Sequence, residues 1–345
     1  MGHVNLALRH EDALSGSSAD DVEDYVGSMS FNDYRKTAAR HFPFVLPLVD
    51  PNRVQGRSFR DYVEWMNDVS WEFEGQNGGR GEAYNLAQQN SDNRRVGTLA
   101  LLQLFSVSGK ALLGPDAIIV DALGGDGTIT RFLRSQGIKG PRIISADLSG
   151  YMVNACLAQD FPCIRQSADK SLLRDSSVDG VLIAYGSHHL DHNGRKDASA
   201  EAFRTIKNGG RFVLHDFEIG TPAADWFDKV VHPFSRTGHP HPHFTQKEMQ
   251  GLLTEAGFRN VRVFSMPDPF ILRGSSSEEA HKNALIHLHR MYDLVKIPGD
   301  EKQVLQQLAV YARAILGEIK IEPTPNGYTA TVPRQALVAV GTKLG

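Results

Sequence analysis

Four residues sit where a small polar ligand is usually held: Asp121, Gly125, Gly127 and Asp147. Asp121 closes the apolar run AIIVD, and Gly125 and Gly127 follow in a short turn. Asp147 closes a second apolar run, RIISAD, twenty positions after Gly127. Glycines let the main chain approach a ligand closely, and a helix starting at Thr128 would offer it unpaired N–H groups. Acids at the carboxyl ends of neighbouring strands can take a pair of ribose hydroxyls. This pattern asks for a nucleotide-like ligand; the turn alone would serve NAD, FAD, ATP or S-adenosylmethionine. A dehydrogenase is disfavoured because no G-x-G-x-x-G turn is present.

A second group of reactive residues lies further along. Tyr185, His188 and His189 follow the apolar run VDGVLIA, and His215 and Asp216 close GRFVLHD. A neutral imidazole can take a proton from a hydroxyl, amine or acidic carbon near neutral pH, which makes His188 and His215 candidate bases. Adjacent side chains on a strand point to opposite faces, so one of His215 and Asp216 would face the site. His188 can equally cap a helix or pack. Tyr185 either faces a cation with its ring or packs at the strand end with its hydroxyl bonded. In TGHPHPHF, His239, His241 and His243 would share a face if extended, but two prolines interrupt them and no cysteine supports a zinc pattern. A surface loop anchored by Phe244, with no metal, is the expectation.

The elements that must position these residues alternate from about Asp116 onward. AIIVDAL, RIISADL, VDGVLIAYG, GRFVLHDFE and RNVRVFSM read as strands with helices between, which implies a mostly parallel, doubly wound α/β sheet. Five segments follow from texture. Residues 1–28 form a polar lead-in and 29–112 a helical cap, ending in a helix from Asn93 to Leu113. Residues 113–274 form the ligand-binding core, and 275–325 a helical insertion or lid. Residues 326–345 supply a last core strand returning to the sheet edge.

Composition narrows the partners. A chain of 345 residues can bury a sizeable core. Its formal net charge of −3 gives no electrostatic footprint for nucleic acid or an anionic membrane. Cys156 and Cys163 are the only cysteines and have no metal spacing. No apolar run would span a bilayer and no basic-then-apolar leader opens the chain, so a cytoplasmic setting is expected.

Three later stretches separate the ligand classes. QSADKSLLRDSSVDGVLIAYG places Asp169 in a turn before the fourth strand. EAFRTIKNGGRFVLHDFE carries Arg204, Ile206, Lys207, Gly209 and Gly210, and HFTQKEMQGLLTEAGFRNVRVF ends its helix in A-G-F. Together they resemble class I S-adenosylmethionine-dependent methyltransferases over residues 112–270 and the last strand. The resemblance implies a Rossmann-like, seven-stranded sheet with S-adenosylmethionine as cofactor. It also implies that Asp121, Gly125 and Gly127 face the methionine portion and that Asp147 takes the ribose hydroxyls. Leu148, Ser149 and Tyr151 would line the adenosine pocket, and Asp169, beside Ala168, would accept from the adenine amino group. Residues just past the fourth strand, Tyr185 and His188 among them, would lie near the sulfonium. One position departs: Leu123 stands where the family's motif has glycine, with Gly124 able to take over the close approach.

The activity so implied is methyl transfer to a small molecule in specialised metabolism, with Tyr62, Trp65, Trp71, Phe73 and Tyr84 available to line the cap. Some members of the fold attack another carbon of the sulfonium. One group with a large helical cap and an aromatic residue after the fourth strand closes the methionine portion to azetidine-2-carboxylate and releases methylthioadenosine. A non-catalytic binding protein is the third reading, opposed by the intact Asp147 and Asp169.

Overall fold

The computed structural model describes residues 21–75 and 79–345; most of the polar lead-in, residues 1–20, lies outside them. The cap starts with α1 (Phe31–His41), whose Ser30 cap accepts from Asp33 N and whose Phe31, Tyr34 and Ala38 are buried. In α2 (Gly56–Val69) the buried residues are Phe59, Val63 and Met66. Both helices therefore bury one stripe at helical spacing. Tyr34 Oη donates to Cys163 O and Tyr25 Oη to Arg165 O, docking this layer on the edge of the sheet. Next come α3 (Gly81–Gln88) and α4 (Arg95–Gln103). The helix expected from Asn93 to Leu113 is thus shorter: SVSG cannot extend it, and the chain turns at Gly109, φ +66°.

The core alternates as expected. It runs β1 (Ile118–Asp121), α5 (Thr128–Ser135), β2 (Arg142–Asp147), α6 (Gly150–Leu157), β3 (Cys163–Arg165), β4 (Val178–Ile183), α7 (His192–Thr205) and β5 (Ile206–Asp216). A short α8 (Pro222–Trp226) continues through a π-helical turn, Phe227–Val231, into α9 (His232–Phe234). Then follow α10 (Gln246–Glu255), β6 (Arg259–Pro267) and β7 (Phe270–Gly274). The chain closes with α11 (Ser277–Met291), α12 (Glu301–Ile315), β8 (Lys320–Thr324), β9 (Gly327–Val332) and β10 (Gln335–Thr342).

Seven strands form one sheet in the order β3-β2-β1-β4-β5-β10-β6, the first five parallel and β10 antiparallel to both neighbours. Two expectations change here. The last strand enters the sheet between β5 and β6 instead of at its edge, so Val338 and Ala339 are fully buried. The insertion is not purely helical: β7, β9 and β8 form a separate antiparallel sheet. The alternating runs KIEPT and GYTATV join at a Pro-Asn-Gly turn that sets up this hairpin. Phe270, Leu272, Leu288, Leu308 and Val332 give the unit its own apolar cluster. Among the described residues no helix is long and apolar enough to cross a membrane.

Candidate active site

The loops after β1 and β2 meet at two acids. Asp121 is 5% exposed, and its Oδ1 is buried with no hydrogen-bond partner. Burial, and then the proximity of Asp147, push its carboxyl up to about 7. Asp147 accepts from Gly125 N at 2.9 Å through Oδ2 and from Ser149 N at 2.9 Å through Oδ1. Gly127 caps α5 at φ +85°, a left-handed conformation that a side chain would strain. At the Leu123 departure, a Cβ on the following Gly124 would meet Asp121 O and Ser145 at 2.9 Å, so this glycine lies close against the two strand ends. The Leu123 side chain turns toward Gly186, its Cδ1 3.2 Å from where a Cβ there would stand.

The cap roofs these loops. Glu74 accepts from Ser149 Oγ at 3.0 Å and from Tyr151 N at 3.3 Å. From α3, Asn85 Nδ2 donates to Asp126 Oδ2 at 2.7 Å, and Arg131 pairs with the same oxygen at 2.8 Å. At the other end, Ser167 Oγ donates to Asp169 Oδ1 beside the buried Ala168. Tyr62 Oη accepts from Ser167 N and donates to Lys170 O, and its ring stacks on Trp65. Tyr62 and Trp65 therefore cover the turn that holds Asp169, while Trp71 is 56% exposed. Leu148 contributes its carbonyl to the buried Arg165. Phe73 packs edge-on to Tyr84 and to His189.

Past β4, Tyr185 sits at φ +62° with its hydroxyl donating to Asp268 Oδ1 at 3.0 Å. The Arg94 guanidinium lies 4.1 Å from the centre of the Tyr185 ring. Asp268 is fully buried and also binds Arg334. Burial would raise its carboxyl, but Arg334 and His215 hold it down at about 2. His215 is 0% exposed; its Nδ1 accepts from Tyr185 N at 3.4 Å and its Nε2 lies 3.5 Å from Asp268 Oδ2. Nδ1 therefore has a backbone partner, while Nε2 is buried beside Asp268 without a hydrogen bond.

Histidines gather on the other side. His188 Nδ1 is 2.8 Å from Asp216 Oδ1, and Asp216 Oδ2 accepts from Ser187 Oγ and His188 N. Burial alone would raise Asp216, yet His188 and these donors hold it well below the ordinary range. His189 Nδ1 lies 3.3 Å from Glu72, which pairs with Arg80 at 3.0 Å. The surface loop expected at 239–243 is corrected here. Phe244 anchors it as foreseen, but His239 and His243 are 3% and 4% exposed and pack against His188. The prolines between them hold the backbone extended, and that conformation turns these rings inward. Burial pushes His189 down to about 3.

Nothing local in the sequence singles out Glu72, Glu74, Arg80, Arg94, Asp268 or Arg334. Each looks like an ordinary surface charge, and only its burial against a partner marks it.

A family model described as a methyltransferase domain matches residues 120–214, from the end of β1 to β5. Over that stretch the chain is similar to methyltransferase domains. Among its relatives is the ubiquinone/menaquinone biosynthesis C-methyltransferase UbiE of Bartonella tribocorum, 27% identical over 160 residues, 43% of this chain and 60% of that protein. The Brucella anthropi UbiE is 28% identical over 116 residues, 31% of this chain and 43% of that one. The match thus spans less than two thirds of these relatives. Two solved structures show a weaker overall similarity. The YcgJ protein of Bacillus subtilis gives a TM-score of 0.46 at 16% identity, covering 72% of this chain and 99% of its own. Phosphoethanolamine N-methyltransferase 2 of Haemonchus contortus, solved with S-adenosyl-L-methionine, gives 0.48 at 15%, covering 84% and 61%.

S-adenosylmethionine carries a ribose diol, an ammonium and a carboxylate, and this site has groups that fit all three. Asp121 Oδ1 is a buried acceptor with no partner, and Arg94 Nε a buried donor with none. Asp147 stands at the neighbouring strand end with its carboxylate already oriented by two backbone donors. The residues fit.

Proposed function

We propose that the protein transfers a methyl group from S-adenosylmethionine to a small-molecule acceptor. The observation that carries this reading is the pair of acids at adjacent strand ends, one with an unpartnered buried oxygen. Asp147 takes the ribose hydroxyls, Asp121 the ammonium and Arg94 the carboxylate. Gly125 and Gly127 bring the main chain alongside, and Asp169, Leu148, Ser149 and Ala168 border the adenine. When bound, the cofactor supplies an electrophilic methyl carbon. The protein contributes position and dryness, since Phe73 and Tyr84 pack over this side of the site and keep water from the reacting centre.

Among the three candidate catalytic groups the geometry separates roles. Asp216 on Nδ1 fixes the His188 tautomer, leaving Nε2 to take a proton from the acceptor. His215 is enclosed and acts as a positioning residue, holding the Tyr185 backbone and Asp268. Tyr185 presents a ring whose orientation is fixed by Asp268 and Arg94. The test is incubation with methyl-labelled S-adenosylmethionine and a panel of small hydroxylated, amino and activated-carbon acceptors. Labelled product with S-adenosylhomocysteine is expected. Methylthioadenosine formed without any acceptor would instead establish cyclisation, and absence of calorimetric binding of both cofactor forms would remove the cofactor reading.

A further inference from the structure

We propose that His188, His189 and His239 form a binding site for one divalent transition-metal ion of borderline softness, such as Zn2+ or Fe2+. One nitrogen from each of the three rings lies within 4.8 Å of the others. Two come from the turn after β4 and the third from the loop before α10, so tertiary packing and not local sequence assembles the trio. His239 is the second, independent observation: it is 3% exposed, and both its ring nitrogens are buried without a hydrogen-bond partner. A buried polar atom left unmet costs about 1–3 kcal/mol, and a metal ion satisfies the acceptor lone pair.

The other two rings are already oriented as ligands usually are. Carboxylates of Asp216 and Glu72 sit on the Nδ1 atoms of His188 and His189 at 2.8 Å and 3.3 Å, which leaves Nε2 of each ring as the nitrogen with the acceptor lone pair. Two further triples overlap this one, Glu72–His189–His241 and His188–Asp216–His243. Each contains a carboxylate that is otherwise engaged: Glu72 with Arg80 at 3.0 Å, and Asp216 with Ser187 at 2.5 Å and Phe217 N at 2.8 Å. The all-imidazole triple is therefore the ligand set, with the acids behind it. Arg80 Nη2 lies 3.3 Å from His189 Nε2 and must withdraw for the ion to be held.

Nitrogens about 2.1 Å from a tetrahedral ion stand roughly 3.4 Å apart, so small ring rotations complete the site. Imidazole suits zinc, iron, cobalt and nickel better than magnesium or calcium. Three ligands leave a position for an acceptor hydroxyl, whose acidity the ion would raise; that use rests on the methyl-transfer reading above. His188 Nε2 would then hold the ion instead of taking the proton.

The experiment uses the full chain without an affinity tag, stripped with chelator and titrated with Co2+, read by visible d–d absorption and elemental analysis. S-adenosylmethionine binding is measured by calorimetry on the same samples. One equivalent of Co2+, displaced by Zn2+, is expected. His239→Ala should weaken Co2+ at least about 100-fold, Asp216→Asn about 10–100-fold, and His241→Ala less than threefold. Cofactor affinity within twofold of the parent reports that the His239 variant is folded. Cofactor binding with no stoichiometric Co2+ overturns the metal site and leaves methyl transfer standing; Co2+ binding without cofactor binding does the reverse. Loss of Co2+ in His241→Ala with retention in His239→Ala overturns the ligand assignment.

Discussion

Burial and Asp147 push the Asp121 carboxyl up to about 7, so without ligand the chain takes up a proton there on folding. Its folded pKa lies above the ordinary 3.8, so the associated stability is complete below about pH 4 and is lost as pH rises through about 7. Asp121→Asn should remove that slope. In chemical melts at pH 8 it should exceed the parent by on the order of 1–3 kcal/mol. The same variant should bind S-adenosylmethionine at least tenfold more weakly by calorimetry, because the neutral amide gives the ammonium no charge. Tyr185 makes a separate prediction. Tyr185→Phe loses one hydrogen bond to Asp268 and should cost about 1 kcal/mol in stability with cofactor affinity unchanged. Tyr185→Ala also removes the ring under Arg94 and should weaken cofactor binding about tenfold.

Between elements, α3 is the part of the cap that touches the glycine loop. Asn85 reaches Asp126 there, alongside Arg131 from α5. Arg131 remains to satisfy Asp126 when Asn85 is shortened. Asn85→Ala should therefore change stability by less than about 1 kcal/mol while raising the KM for S-adenosylmethionine several-fold. A melt and steady-state kinetics check the two halves. Arg131→Ala is different in kind: it leaves a carboxylate that is 1% exposed without its cation, and should cost about 3–5 kcal/mol.

On the scale of the whole molecule, the ion pair of Asp268 and Arg334 ties the small sheet to the core. Arg334 occupies the link between β9 and β10, its Nη1 meeting Tyr292 after α11 and its guanidinium lying 3.9 Å from the Phe270 ring centre. Asp268→Asn should destabilise by about 3–5 kcal/mol, and adding Arg334→Met should recover part of that loss in denaturant melts, since no charge is then left buried. Cofactor binding should act on the molecule as one unit. At 100 times its Kd it contributes about 2.7 kcal/mol, or about 4 °C in Tm for a chain of this size, read by differential scanning fluorimetry.

Much of this was written locally. The apolar runs ending in Asp121 and Asp147, the glycines between them and the alternation through β5 depend on neighbours in sequence, so periodicity revealed the sheet and both acids. A motif carries no side-chain direction, so the turn of Leu123 toward Gly186 was visible only in the fold. The placement of β10 inside the sheet, the hairpin in the insertion and the inward turn of His239 and His243 depend on contacts between distant segments. The same holds for the burial of Glu72, Arg94, Asp268 and Arg334. A charge is indistinguishable from a solvated one until the fold withdraws water from it and supplies a partner. The sequence by itself determined the strand-end acids and the glycine turn that point to a cofactor, because strand ends and turns are local. Only the tertiary structure decided what surrounds the candidate site, because that shell is assembled from stretches far apart in the chain and held by desolvated charge.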